Sequence, residues 1–301
     1  MNNASIFSNI SLLCYVAASI LYVATLRPST PPPESLAGNA PLLAKGRHQP
    51  GSPWTAAGLW SSPWLNVVAF LLLTSATVSI TLALAAYLGK VPLLELSGLM
   101  LTAMISWMAI HGHLQFGLKL VGPFVAPLAT LILLVQFLFV PLKTGSPLET
   151  IPTYLGIGHI LSSIVGQAFA IMACAISILY LWQQNLLKKK RLDQLPQSIP
   201  AIDQLSRHLV LSLWAGFLFI TLGLVTGALY FQRLEKIPSD TDYLLKVAWA
   251  IFVWVWYLAT LVALNIFHRP HKRIAQMALG GFALLAISYF GMGILRPLGG
   301  G

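Results

Sequence analysis

Eight long apolar stretches constrain what this chain can fold into more tightly than any motif in it. They run Ile6–Leu26, Trp64–Leu88, Leu93–Ile110, Val121–Val140, Leu155–Trp182, Leu209–Phe231, Tyr243–Phe267 and Ile274–Leu295. A helix needs about 20 mostly apolar residues to cross roughly 30 Å of hydrocarbon, whereas a barrel strand needs only about 9–11. In lipid every backbone donor and acceptor has to be satisfied within the protein, so only helices and closed barrels span. Stretches of this length select helices. The expectation is an all-α polytopic membrane helix bundle, a single transmembrane domain over residues 1–301 with eight transmembrane helices.

The positive charges orient it. Twelve of the eighteen Lys and Arg residues fall in alternate gaps between the stretches. These are Arg27, Lys45 and Arg47; Lys119; Lys188, Lys189, Lys190, Arg191 and Arg207; and Arg269, Lys272 and Arg273. Positive loops stay in the cytoplasm, so these gaps are internal and both termini are external. No Lys or Arg precedes the first stretch, which therefore reads as an anchor inserted N-end out rather than a cleaved signal peptide.

Residues 27–63, with Pro28, Pro31, Pro32 and Pro33, lack the apolar content for a core and read as a flexible cytoplasmic linker. Its end, with Trp54 and Trp60 and with Trp64 just after it, belongs at headgroup level, where tryptophan is enriched. The other sizeable inner gap, about 183–208, opens by extending the fifth helix through Lys188–Arg191 until Pro196 and Pro200 interrupt it. The outer gaps are short, and no internal repeat is evident. Of the chain, 57% is hydrophobic and 9% charged, against about 25% charged in soluble domains. The net charge of +10 lies mostly in the inner loops, where topology and anionic lipid account for it without nucleic acid. Cys14 and Cys174 fall within apolar stretches, outside any CxxC pattern, and read as small buried hydrophobes.

Polar groups inside helices are costly, so function is sought there first. His159, Ser163 and Gln167 recur at four-residue spacing and read as one face of the fifth helix. Ser163 and Gln167 suit helix–helix hydrogen bonding. His159, near the outer end, is either a ligand or a structural histidine. His268 ends the seventh stretch at the inner face, with room to turn inward; His271, Lys272 and Arg273 beyond it read as a topological stop. His111 and His113, two apart and so diverging on a helix, read as a loop. His208 reads as an interfacial cap, and His48 lies in the linker. At the outer face Lys90, Arg233 and Lys246 either snorkel and solvate or meet the carboxylates of an anionic ligand near His159. Trp249, Trp254 and Trp256 crowd the seventh stretch, the first and last on one face, as packing or lipid-facing residues. Gly223 and Gly227 form a GxxxG that permits close helix approach. No phosphate loop, HExxH or catalytic triad emerges, and no acid lies at mid-depth. The expectation is a protein that is not an enzyme and not an ion-driven pump.

Several segments resemble the cytochrome c assembly family of haem-handling membrane proteins (CcsA-, CcmC- and HemX-like members). Residues 158–170, led by Gly158 and His159 and continuing to Ile178–Leu181, are similar to that family's histidine-led helix. Residues 221–230 resemble its Gly-containing helix before the outer haem loop, residues 286–293 its closing Tyr-Phe-Gly helix, and residues 89–96 its early Gly-His-x-Pro segment. The resemblance covers most of the second to eighth stretches. It implies haem as cofactor, with His159 at the position of the outer iron ligand and His268 at that of the inner one. It also implies that cations, here Lys90, Arg233 and Lys246, meet the propionates. The chain departs from the pattern at residues 232–242, which hold no tryptophan where the family has a tryptophan-rich loop, at Lys90 in place of a histidine, and in a tail without histidine. The similarity is thus to the divergent, HemX-like branch.

The resemblance implies an accessory protein of the bacterial inner membrane in cytochrome c biogenesis, binding haem between helices through His159 and His268. Its partners would be haem, membrane lipid and other biogenesis proteins, with no nucleic acid. The alternative is a ligand-free scaffold that binds a partner protein through residues 27–63 and 183–208. Reporters fused after Gly301 or near Pro147 should read external and those near Lys189 cytoplasmic. A cytoplasmic C-terminus would mean a miscounted helix.

Overall fold

The computed structural model describes residues 3–25, 63–88, 91, 96–116, 121–139, 154–190, 200–232 and 241–295. Among them are eight helices: α1 (Asn3–Thr25), α2 (Pro63–Tyr87), α3 (Ser97–Phe116), α4 (Gly122–Phe139), α5 (Tyr154–Lys188), α6 (Ile202–Gln232), α7 (Thr241–Asn265) and α8 (His271–Leu295). Each apolar stretch has become one helix. Five of them, α1, α2, α5, α6 and α7, are long and apolar enough to cross a membrane, and α4 carries a shorter apolar run. The linker proposed at 27–63 lies outside the described residues but for its last, Pro63, which opens α2. Proline suits that place, where its missing N–H costs nothing.

The helices form two groups of four. In the first, α1 packs on α2 and α4, and α3 on α2 and α4; in the second, α5 packs on α6 and α8, and α7 on both. The groups meet chiefly where α3 lies against α5. That makes α5 the central rod: 72% of its apolar span is buried, against 28% for α6 and α7.

Two boundaries differ from the sequence reading. Helix α3 continues through His111 and His113 to Phe116, because nothing there breaks a helix even though polarity rises. The two histidines do diverge: His113 stacks on Phe70 of α2 with centroids 4.2 Å apart, while His111 meets the edge of Phe116. Helix α6 starts at Ile202 rather than Leu209, after Pro200 and with Asp203 in its first turn, both start signals. His208 is therefore no cap. It sits in the second turn, tilted against Phe116 at 4.6 Å.

The distribution of polarity is that of a protein in lipid. Large apolar side chains such as Leu13, Ile20, Leu71, Leu138 and Leu245 face outward along the helices, a surface that water would not tolerate. Several hydroxyls are buried. Thr77, Thr102 and Ser177 bond back to carbonyls one turn earlier, and the Tyr15 hydroxyl donates to Ser106 Oγ at 2.7 Å across α1 and α3. Without a hydrophobic force between helices in lipid, association rests on cross-helix bonds such as that of Tyr15 and on close packing of small residues.

The tightest packing joins α5 to α6. A Cβ on Gly166 would fall 2.8 Å from Ile220 Cγ1 and 2.9 Å from the Ile220 backbone nitrogen. Gly216 lies opposite, with its added Cβ 3.6 Å from the Gly166 carbonyl. Gly158, on the same helix, has only Thr226 Cγ2 at 3.9 Å. Gly166→Ala should therefore force the helices apart and cost about 1–3 kcal/mol, whereas Gly158→Ala should be neutral or slightly stabilising. Thermal unfolding of both variants in micelles checks this; equal melting points would contradict the seam.

Candidate functional site

The seam carries His159 near its outer end. His159 stands in the second turn of α5, half-buried, and its Nδ1 lies 2.6 Å from the carbonyl oxygen of Gly223 on α6. A carbonyl oxygen only accepts, so Nδ1 carries the proton. In the neutral ring Nε2 then keeps its lone pair, the form in which histidine ligates metal, and a backbone carbonyl behind the other nitrogen is a usual support of such a ligand. The approach depends on glycine at Gly223 and Gly227. A Cβ at Gly227 would fall 2.7 Å from the ring's Nδ1 and 2.9 Å from Cε1, and one at Gly223 would fall 2.7 Å from Ser163 Oγ. The GxxxG is thus the floor on which His159 and Ser163 rest.

Gln167 does not share their face. It lines a half-open pocket of about 30 Å³ among Leu101, Leu128, Ile132, Phe282 and Leu285, toward α3, α4 and α8. At 3.6 residues per turn, two four-residue steps drift by about 80°, enough to carry Gln167 from the α6 side to the bundle centre. The cavity has room for about one water.

The tryptophans of α7 are pegs. Trp249 Nε1 donates to the Leu284 carbonyl and Trp256 Nε1 to the Met277 carbonyl, both on α8, while Trp254 Nε1 donates to Thr221 Oγ1 of α6 at 2.9 Å. Trp256 lies over Gly280, where a Cβ would come within 2.9 Å of the indole. Trp249 and Trp256 thus share a face, as their seven-residue spacing implies.

His268 stands elsewhere. It follows α7 in the left-handed region (φ 45°), and the Arg269 N–H bonds to the Ala263 carbonyl at 3.0 Å. The chain closes the helix end there, with a histidine in the left-handed conformation that glycine more often takes. The ring does not turn inward. It is exposed, with Nδ1 3.0 Å from the Ile266 carbonyl. Trp254 is level with Thr221, so Gly223 and Asn265 lie about 20 Å apart along the bundle at 1.5 Å per residue. One metal atom cannot take both imidazoles.

Lys246 is exposed on α7. Eight residues before Trp254, it lies about 12 Å nearer the outer end than that residue, and so on the His159 side. Lys90 and Arg233 lie outside the described residues. Cys14 and Cys174 are free thiols, and among the described residues no three His, Cys, Asp or Glu side chains gather as a metal site. Haem iron asks for less, since one axial imidazole holds it in several protein classes. The donor set at His159 fits that requirement. The pocket at Gln167, about 30 Å³, is far too small for a porphyrin.

The sequence reading missed Gly166 and Gly216 as members of the seam. The signal was present: His159 and Gly166 are seven apart, as are Gly216 and Gly223, the spacing of residues that line one helix contact.

A family model described as cytochrome C assembly protein matches residues 62–298, which takes in α2 to α8. No curated protein and no solved structure matches the chain.

Proposed function

The chain belongs to the cytochrome c assembly protein family, and from that premise we propose that it is a haem-handling accessory protein of cytochrome c biogenesis with His159 as its iron ligand. It is a multi-pass membrane protein. In this reading all eight helices cross, both termini are external, the membrane is the bacterial inner membrane, and the protein is not itself an enzyme. The observation that carries the reading is the Gly223 carbonyl against His159 Nδ1, which holds Nε2 ready as a ligand. Haem would supply an iron that accepts this nitrogen. Lys246, at the same end, would meet a propionate, together with Lys90 and Arg233. His268, at the opposite end, would serve a separate inner contact. The absent tryptophans of residues 232–242 favour holding or passing haem over attaching it to a protein.

Protein purified with haem supplied should show a Soret band that His159→Ala abolishes or shifts, while Ser163→Ala, beside it, leaves the band in place. No Soret band, or one indifferent to His159→Ala, would remove the proposal.

A further inference from the structure

A second feature lies far from His159, at the other end of the bundle. An open groove of about 460 Å³ runs between the start of α6 and the start of α8, lined by Ser206, Arg207, Val210, Leu211, Trp214 and His271. Its residues are ordered along α6. Arg207, Val210, Leu211 and Trp214 follow at i, i+3, i+4 and i+7, so they form one stripe with the cation outermost. His271, the first residue of α8, faces the same groove, and Lys272 and Arg273 follow it, both exposed. No Asp or Glu lines the groove. Leu211 and Trp214 are exposed beneath Arg207, where the apolar span of α6 begins.

A cationic mouth above an apolar wall about 10 Å deep, at 1.5 Å per residue, has the polarity of one membrane amphiphile. We infer that this groove binds an anionic phospholipid, its phosphate on Arg207 and His271 and an acyl chain along Val210, Leu211 and Trp214. Basic pockets between helices at the cytoplasmic face are the usual seats of such headgroups, and tryptophan favours the headgroup level. An acidic segment of a soluble protein would satisfy the cations but would have to enter hydrocarbon to cover Leu211 and Trp214. The inference is independent of His159 and of haem.

The test uses the full chain in bilayers containing phosphatidylglycerol or phosphatidylcholine with brominated acyl chains, which quench nearby indoles. The fluorescence that Trp214→Phe removes reports the groove. Its quenching should favour phosphatidylglycerol, and Arg207→Gln should lower that preference roughly fivefold, the worth of one cation near a membrane surface. Arg207→Lys should retain it, which separates charge from misfolding. Equal quenching by the two lipids, or a preference unchanged in Arg207→Gln, would overturn the inference. So would relief of quenching by soluble polyglutamate or by inorganic phosphate, which would assign the groove to an acidic protein or to free anion.

Discussion

The bundle turns on how closely α5 and α6 approach. Gly166 on one helix and Gly216 on the other bring backbone near backbone, with no space for a methyl group at Gly166, while Gly223 and Gly227 seat Ser163 and His159. In lipid this contact has no help from water, so van der Waals fit and hydrogen bonds have to hold it. The same closeness brings the Gly223 carbonyl to His159. One set of small residues therefore fixes both the central helix pair and the orientation of an imidazole. A change that loosens the seam would loosen the ring.

Around that pair the structure places polarity where a membrane protein needs it. Hydroxyls of α1 to α4 such as Tyr15, Thr77, Thr102 and Ser106 are buried and bond to carbonyls or to each other, while leucines and isoleucines cover the outside. The indoles of α7 reach α6 and α8 with their N–H groups, joining the last helices to the pair. The candidate sites lie toward the ends, His159 at one and Arg207 with His271 at the other.

Much of this was legible in the sequence. Eight apolar stretches became eight helices because length and polarity are direct readouts of a bilayer. The segments that resembled the cytochrome c assembly family lie within the matched residues 62–298. Helix ends were less legible. His111 and His113 read as loop because residues two apart diverge on a helix, but divergence does not end one: the two rings only meet different partners, Phe116 and Phe70. His208 reads as a cap at the edge of the apolar stretch, although only a breaker or a cap residue marks a helix end reliably. The stripe of His159, Ser163 and Gln167 was right for its first two members and lost the third to helical drift. Gly223 and Gly227 announced a close approach, but a single helix pattern does not name its partner. What His268 does depends on backbone conformation, since a histidine in the left-handed region leaves no trace in hydropathy.

The claim at the centre is that the Gly223 carbonyl sets the protonation of His159, and nitrogen NMR of histidine-labelled protein in bilayers without haem reads it directly. With the His159 signals assigned by their loss in His159→Ala, the account predicts that the neutral form of the ring carries its proton on Nδ1 and leaves Nε2 bare. A ring protonated at Nε2 alone would set two lone pairs against each other across the seam and would contradict it.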